Sequence, residues 1–322
     1  MNKLIQIASV FLLSALAACS DGNPVQLPEP EPAVRLEGMI GLSTRGVIGS
    51  GYEGELEVGF ARQDETAASA DSYGAWSVCK AVREGGAGSR LIVFDEPQWY
   101  PPDGRMIHLH GYYPVGDGML DLQTGKATFT VDGKTDIMAT GCLSGSIYEP
   151  VHTCTFRHLL TQVAWACYGD RAELWGAVTK MEVVGVHTRQ ELDCRLESPS
   201  LADISSEGEI QDLLVQDVAD LTVPQVAEGE ELPDPQGYIL LPVSPVDDGT
   251  AEHPLHLQIT TTKDGRGNEV ETVTPVSVTV EGGFQPGRRH VVSLFFSGNG
   301  VVRISSVRVE AWTEHDAGEW PI

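Results

Sequence analysis

His108 and His110 stand one residue apart in a strand-like run, so both imidazoles leave the same strand face. Two imidazoles at that spacing could share a metal ion. No third ligand follows at a recognisable spacing, and the pair is expected on a solvent-facing strand surface. Gly141-Cys142-Leu143-Ser144-Gly145 sets its serine one position away from a Gly-x-Ser-x-Gly nucleophile elbow. Asp247-Asp248-Gly249 and Asp264-Gly265 suggest turns and do not match a calcium-binding loop. There is no phosphate loop, dinucleotide fingerprint or His-Glu-x-x-His motif. Two carboxylates that meet in space suffice for a retaining glycosidase, but among 46 acidic residues nothing singles out a pair. The expectation is no catalytic residue, no metal and no cofactor. Arg45 precedes Gly46 and Gly49-Ser50-Gly51, which make an open loop accessible to a protease. Arg35 is a second, earlier basic position.

Cys19 has a different chemistry. Lys3, an apolar run from Leu4 to Leu16, and then Ala17-Ala18-Cys19 describe an export signal. The run is too short for a permanent membrane-spanning helix. Leu16-Ala17-Ala18-Cys19 resembles the lipobox of bacterial lipoproteins. The resemblance implies cleavage before Cys19, acylation of that residue, and attachment to a membrane outside the cytoplasm. Cys79, Cys142, Cys154, Cys167 and Cys194 remain, an odd number. Spacing alone assigns no disulfide among them, and at least one thiol should stay free.

The 322 residues are 41% hydrophobic, enough to bury a sizeable core, and carry a formal net charge of −25. That charge disfavours DNA, RNA and anionic lipid surfaces as partners. Residues 1–18 are the signal and 19–33 a tether, in which alternating prolines favour an extended chain. Beyond it, Leu56/Val58/Phe60, Ile107/Leu109, Ala127/Phe129/Val131, Leu255/Leu257/Ile259 and Val276/Val278/Val280 alternate with more polar or small residues. This period of two predicts half-buried strands. Asp264–Asn268 reads as a hairpin tip. With 35 Gly and 19 Pro punctuating the strands, an all-β fold of two tandem β-sandwiches is expected, over 34–147 and 148–322. One short helix is predicted around Ile210–Leu221, opened by a Ser206/Glu209 capping box.

Several segments in order resemble the fimbrillin-like proteins, the subunits of type V pili. Ser43-Thr44-Arg45-Gly46 followed by Tyr52–Gly59 is similar to the family's Thr-Arg loop and strand, with Gly54-Glu55 where the family often has Gly-Asp. His110-Gly111-Tyr112-Tyr113-Pro114, Asp136-Ile137-Met138-Ala139, Phe156-Arg157-His158-Leu159-Leu160 and Gly237–Pro242 each resemble family strands. Phe156–Val163 resembles the strand that opens the second domain, with Thr161 and Gln162 departing from the family's small residue and base. Phe284-Gln285-Pro286-Gly287 and the terminal Glu310-Ala311-Trp312 complete the set, with His290 where an aromatic residue is usual.

The resemblance implies transthyretin-like sandwiches and joining to other fimbrial subunits. In the family a protease cuts after a basic residue and releases an N-terminal strand, and a strand from the next subunit fills the groove. Here the removable strand would lie between Ala33 and Thr44, with Val34, Leu36 and Ile40 on its apolar side. Arg45 is the first choice of cut, and Arg35 lies too early to release much of a strand. The donor would come from Val301–Trp312 or Thr313–Ile322. A surface lipoprotein that binds glycan or host protein without polymerising is the alternative. N-terminal sequencing of the protein from intact cells distinguishes these states. An acylated Cys19 is expected for the anchored form and Gly46 for a processed form, whereas a Met1 start contradicts both.

Overall fold

The computed structural model describes residues 33–41, 50–66, 69–226, 230–243, 246 and 248–311. Cys19, Arg45 and the segment 313–322 lie outside the described residues. In chain order the first strands are β1 (Leu36–Ile40), β2 (Leu56–Thr66), β3 (Ser69–Tyr73), β4 (Ser77–Arg83), β5 (Arg90–Phe94) and β6 (Ile107–Tyr113). Next come β7 (Leu120–Asp121), β8 (Lys126–Thr130), β9 (Met138–Ala139), β10 (Leu143–Gly145) and β11 (Thr153–His158). They are followed by β12 (Thr161–Gly169), β13 (Ala177–His187), β14 (Arg189–Asp193), β15 (Leu201–Asp203), β16 (Ile210–Leu214) and β17 (Leu221–Thr222). The last are β18 (Gly237–Leu241), β19 (Leu255–Thr261), β20 (Thr272–Val278), β21 (Arg288–Phe296) and β22 (Val302–Ala311). Among the described residues the helical pieces are two single 3-10 turns, Ala172–Leu174 and Glu207–Glu209. The all-β expectation therefore holds.

The N-terminal strands close on themselves. Hydrogen-bonded pairs run β6–β9–β11–β1–β5–β4–β2 and back to β6. This barrel-like ring differs from the two separate sheets of a sandwich. Closure satisfies ladder groups that would otherwise form free edges. All pairs are antiparallel except β1–β11. The period-two residues turn inward as expected: Leu56, Val58, Phe60, Ile107 and Leu109 share a core with Leu36, Ile40, Ile92 and Phe156. The Phe60 ring packs on Phe94 and Phe156, with centroids 5.3 and 6.0 Å apart. At Gly59 an added Cβ would lie 2.5 Å from the Tyr112 ring, so the close strand approach there needs glycine.

A second, larger core is shared by two further sheets, ordered β18-β12-β21-β22 and β16-β13-β19-β20. Val163, Trp165 and Cys167 from β12 belong to it, as do Leu255, Leu257 and Ile259 from β19. Ala61, Tyr112 and Ala139 of the ring also join it, so the outer side of the ring is part of the same packing. The β19–β20 hairpin forms as predicted, with Asp264 capping its tip through Arg266 N, Asn268 N and Asn268 Nδ2. Three pairings cross the 147/148 boundary. β11 joins the ring, so Phe156–His158 completes the first body and the chain passes to the next sheet only at β12. The ladder β8–β14 also crosses it.

The helix predicted over Ile210–Leu221 is absent. Ser206 and Glu209 do bond reciprocally, with Ser206 N and Oγ 2.9 and 2.8 Å from Glu209 Oε2, but they close one 3-10 turn. The chain then extends as β16 against β13. Leu213 is buried while Ile210 and Leu214 are exposed. A helical stripe there would have no face to cover, whereas β13 supplies ladder partners.

The solvent-facing placement expected of the imidazole pair is corrected for His110, while His108 stays partly exposed. His110 is only 4% exposed, because the outer face of β6 is covered by the second core. Its ring lies 6.2 Å from that of Trp76. Burial, aided by the neighbouring His108, lowers the His110 pKa to about 4. His290, buried beside the Phe284 ring at 5.0 Å, is likewise lowered to about 4 by burial and then by Arg288. Both imidazoles resist protonation more in the folded chain than in the unfolded one. Their stabilising contribution is full above about pH 6.5 and is lost as pH falls toward 4. Urea midpoints are expected to drop between pH 7 and pH 4.5, and His290→Phe should reduce that drop. A pH-independent midpoint over this range contradicts the assignment.

Candidate functional site

The alternation Val34, Leu36, Gly38, Ile40 gives β1 one apolar or small face. That face points into the ring, where Val34, Leu36 and Ile40 are 5%, 0% and 1% exposed. Arg35, Glu37 and Met39 point outward. Burying each aliphatic side chain contributes about 1.5–3 kcal/mol, so the segment is held chiefly by Leu36 and Ile40 of β1 and by Val34 just before it.

Both edges of β1 are paired. On one side Leu36, Glu37 and Gly38 face Ile92, Leu91 and Arg90 of β5. On the other, Glu37, Gly38, Met39 and Ile40 face Thr153, Cys154, Thr155 and Phe156 of β11, in parallel. Val34 N donates to Gln98 O at 2.8 Å before the strand, and Gly41 N donates to Phe156 O at 2.7 Å after it. Removing β1 would therefore leave unpaired ladder groups on β5 and β11 and an apolar slot between them.

Arg83 binds β1 from inside. Its side chain is fully buried, and Nε donates to Gly38 O at 3.2 Å. The same guanidinium donates to the carbonyls of Glu84, Gly86 and Gly88 at 3.1, 2.9 and 2.6 Å. Burial lowers its pKa, with a further push from Arg90. The sequence reading missed this residue, although Cys79-x-Ala81-x-Arg83 already places it on the inward face of β4. At the far end of β1 the buried His158 is hydrogen-bonded through Nδ1 to Asp136 Oδ2, and its Nε2 lies 3.4 Å from Gly41 O. His158 thus holds a packing and hydrogen-bonding position.

Arg35 is exposed and precedes β1, so a cut after it leaves the whole strand in place. Arg45 falls in 42–49, outside the described residues but directly after β1. Cys79, Cys142, Cys154, Cys167 and Cys194 are all free thiols, four of them buried.

Elsewhere, cross-strand register brings together residues that the sequence reading kept apart. His108 Nδ1 is 2.8 Å from Ser144 Oγ and 3.8 Å from Cys142 Sγ. Its Nε2 lies 3.8 Å from Glu65 Oε1, beyond hydrogen-bond reach. The set has the residue types of a hydroxyl–imidazole–carboxylate relay but not its second contact. Among the described residues no group of three or more His, Cys, Asp or Glu is placed to hold a metal ion.

If β1 is held as described, Leu36→Ala should cost about 2–5 kcal/mol of stability. Met39→Ala, on the outer face, should stay within about 0.5 kcal/mol. Equal effects of the two in urea unfolding would contradict the assignment of faces.

No protein-family model matches the sequence, and no curated protein matches it. Solved structures do match its fold. One, described as "a putative cell adhesion protein" from Bacteroides uniformis, superposes with TM-score 0.57 at 15% identity over 87% of this chain and 98% of its own. A second protein so described, from Bacteroides ovatus, gives 0.56 at 14% identity over 89% of this chain and 100% of its own. The chain therefore shares its all-β fold, over nearly its whole described length, with proteins described in terms of cell adhesion.

Proposed function

We propose that this chain is a non-enzymatic structural or adhesive subunit of a type V fimbrium. In this reading it is exported as a lipoprotein acylated at Cys19 and displayed at the outer membrane. A cut after Arg45 frees β1, and a strand of another fimbrial subunit takes its place. The observation that carries the reading is that β1 is a five-residue stave, apolar inward, paired on both edges, and followed at once by the segment holding Arg45. A short strand of this kind can be exchanged for another without rebuilding the ring, because the ladder and the slot are templates for any strand of matching pattern. The fold likeness to proteins described in terms of adhesion supports it. The two-domain organisation, 34–147 and 148–322 as transthyretin-like bodies, belongs to the same proposal, with β11 lent across the boundary to the first.

The alternative, a surface lipoprotein that binds glycan or host protein without polymerising, has one observation in its favour. A cleft of about 630 Å³ on the outer side of β12 and β21 is lined by Tyr168, Asp170, Phe295, Asn299 and Arg303, among others. Tyr168 and Phe295 lie 5.3 Å apart, and the Arg303 guanidinium sits 4.8 Å above the Phe295 ring. Aromatic faces edged by polar groups suit a sugar ring. Treatment with an arginine-specific protease together with other fimbrial subunits separates the readings. The proposal expects a cut after Arg45 and SDS-resistant ladders, both lost in Arg45→Ala. A chain that is cut but stays monomeric favours the alternative.

A further inference from the structure

We infer that the slot now filled by β1 selects its occupant at one position, and that the occupant is a strand other than this chain's own C-terminal segments. The inference rests on the reading of β1 as the exchangeable strand. Three inward positions of the segment are ordinary apolar pockets, filled by Leu36 and Ile40 of β1 and by Val34 just before it. The fourth, at Gly38, has no pocket. A Cβ there would lie 2.6 Å from Ile92 Cδ1, 3.1 Å from Ile92 Cγ1 and 3.5 Å from Cys154 Sγ. Ile92 is itself buried, so a larger residue has to displace a core side chain as well as fit beneath it.

Arg83 meets the same position from the other direction. Its acceptors are all backbone carbonyls, and Gly38 O is the one not contributed by the adjoining 84–88 loop. An occupant in the same register returns a carbonyl to Arg83 Nε. A slip of two residues brings a branched side chain against Ile92. The occupant is therefore a strand of pattern aliphatic-x-aliphatic-x-glycine-x-aliphatic, running parallel to β11.

The chain's own candidate donors lack this pattern. Val302-x-Ile304 leads to Ser306 and Arg308, and Val307-x-Val309 leads to Ala311 and Thr313. β22 is moreover paired along its length with β21 as the last strand of its sheet. Thr313–Ile322 contains no such alternation. A second copy of this chain cannot supply the strand from these C-terminal segments.

The test uses the full chain with a sequence-specific protease site in place of residues 44–47, nicked in the presence of labelled peptides. One peptide copies residues 33–41, a second carries Gly38→Val, and a third copies residues 313–322. The nicked chain should capture the first peptide, take up the second about 10-fold less or worse, and ignore the third. Ile92→Val, which deletes the Cδ1 atom, should narrow the gap between the first two. In the uncut chain, Gly38→Val should lower Tm, and adding Ile92→Val should recover part of the loss. Equal capture of the first and second peptides overturns the selection while leaving strand exchange standing. Capture of the third overturns the exclusion of the C-terminal segment. Capture of none removes strand exchange and this inference with it.

Discussion

The ring exists only because β1 satisfies two partners at once. β5 and β11 come from distant parts of the chain and do not pair with each other. Between them β1 provides an antiparallel ladder to one and a parallel ladder to the other. Its inward side chains fill the ring core, and its Gly38 carbonyl receives the buried Arg83. Backbone pairing, apolar burial and accommodation of a buried cation thus all converge on five residues. Leaving the strand out would expose ladder groups and remove one of the four carbonyls that hold the buried cation, and both are costly in a low-dielectric interior.

The rest of the molecule is arranged so that this segment can matter without the whole depending on it. The second core is the larger, and β1 contributes nothing to it. Its sheets, and the β8–β14 ladder that ties them to the N-terminal half, are built from strands far from β1. Such a separation lets one stave be marginal while the scaffold around it stays rigid. Gly38 then gives the slot a register as well as an apolar lining.

Much of this was legible because strands with one buried face repeat every second residue. Leu56/Val58/Phe60 and Leu255/Leu257/Ile259 lie inside as their alternation demands, and so do Val34, Leu36 and Ile40, the inward residues of the candidate site. What sequence could not give is partnership between distant segments. Nothing local in Thr153–His158 says that it pairs in parallel with β1, and the closed ring follows from that pairing. His110 misled for a similar reason: alternation separates the two faces of β6, but cannot say that both are covered. Ile210–Leu221 carried apolar residues near helical spacing, yet tertiary pairing with β13 prevailed over that local pattern. Arg83 was readable from the alternation of β4 and was passed over because an arginine is rarely buried without a carboxylate partner.

The central claim is that β1 must leave for subunits to join. Met39 and Thr155 are outward-facing neighbours in the β1–β11 ladder, at a spacing suited to a disulfide. Met39→Cys with Thr155→Cys would therefore staple β1 in place without touching the ring core. The decisive measurement is subunit joining by this variant after protease treatment, with and without reductant. The account predicts no joining while the staple is oxidised and full joining once it is reduced. Joining that proceeds equally well with the staple closed would contradict it.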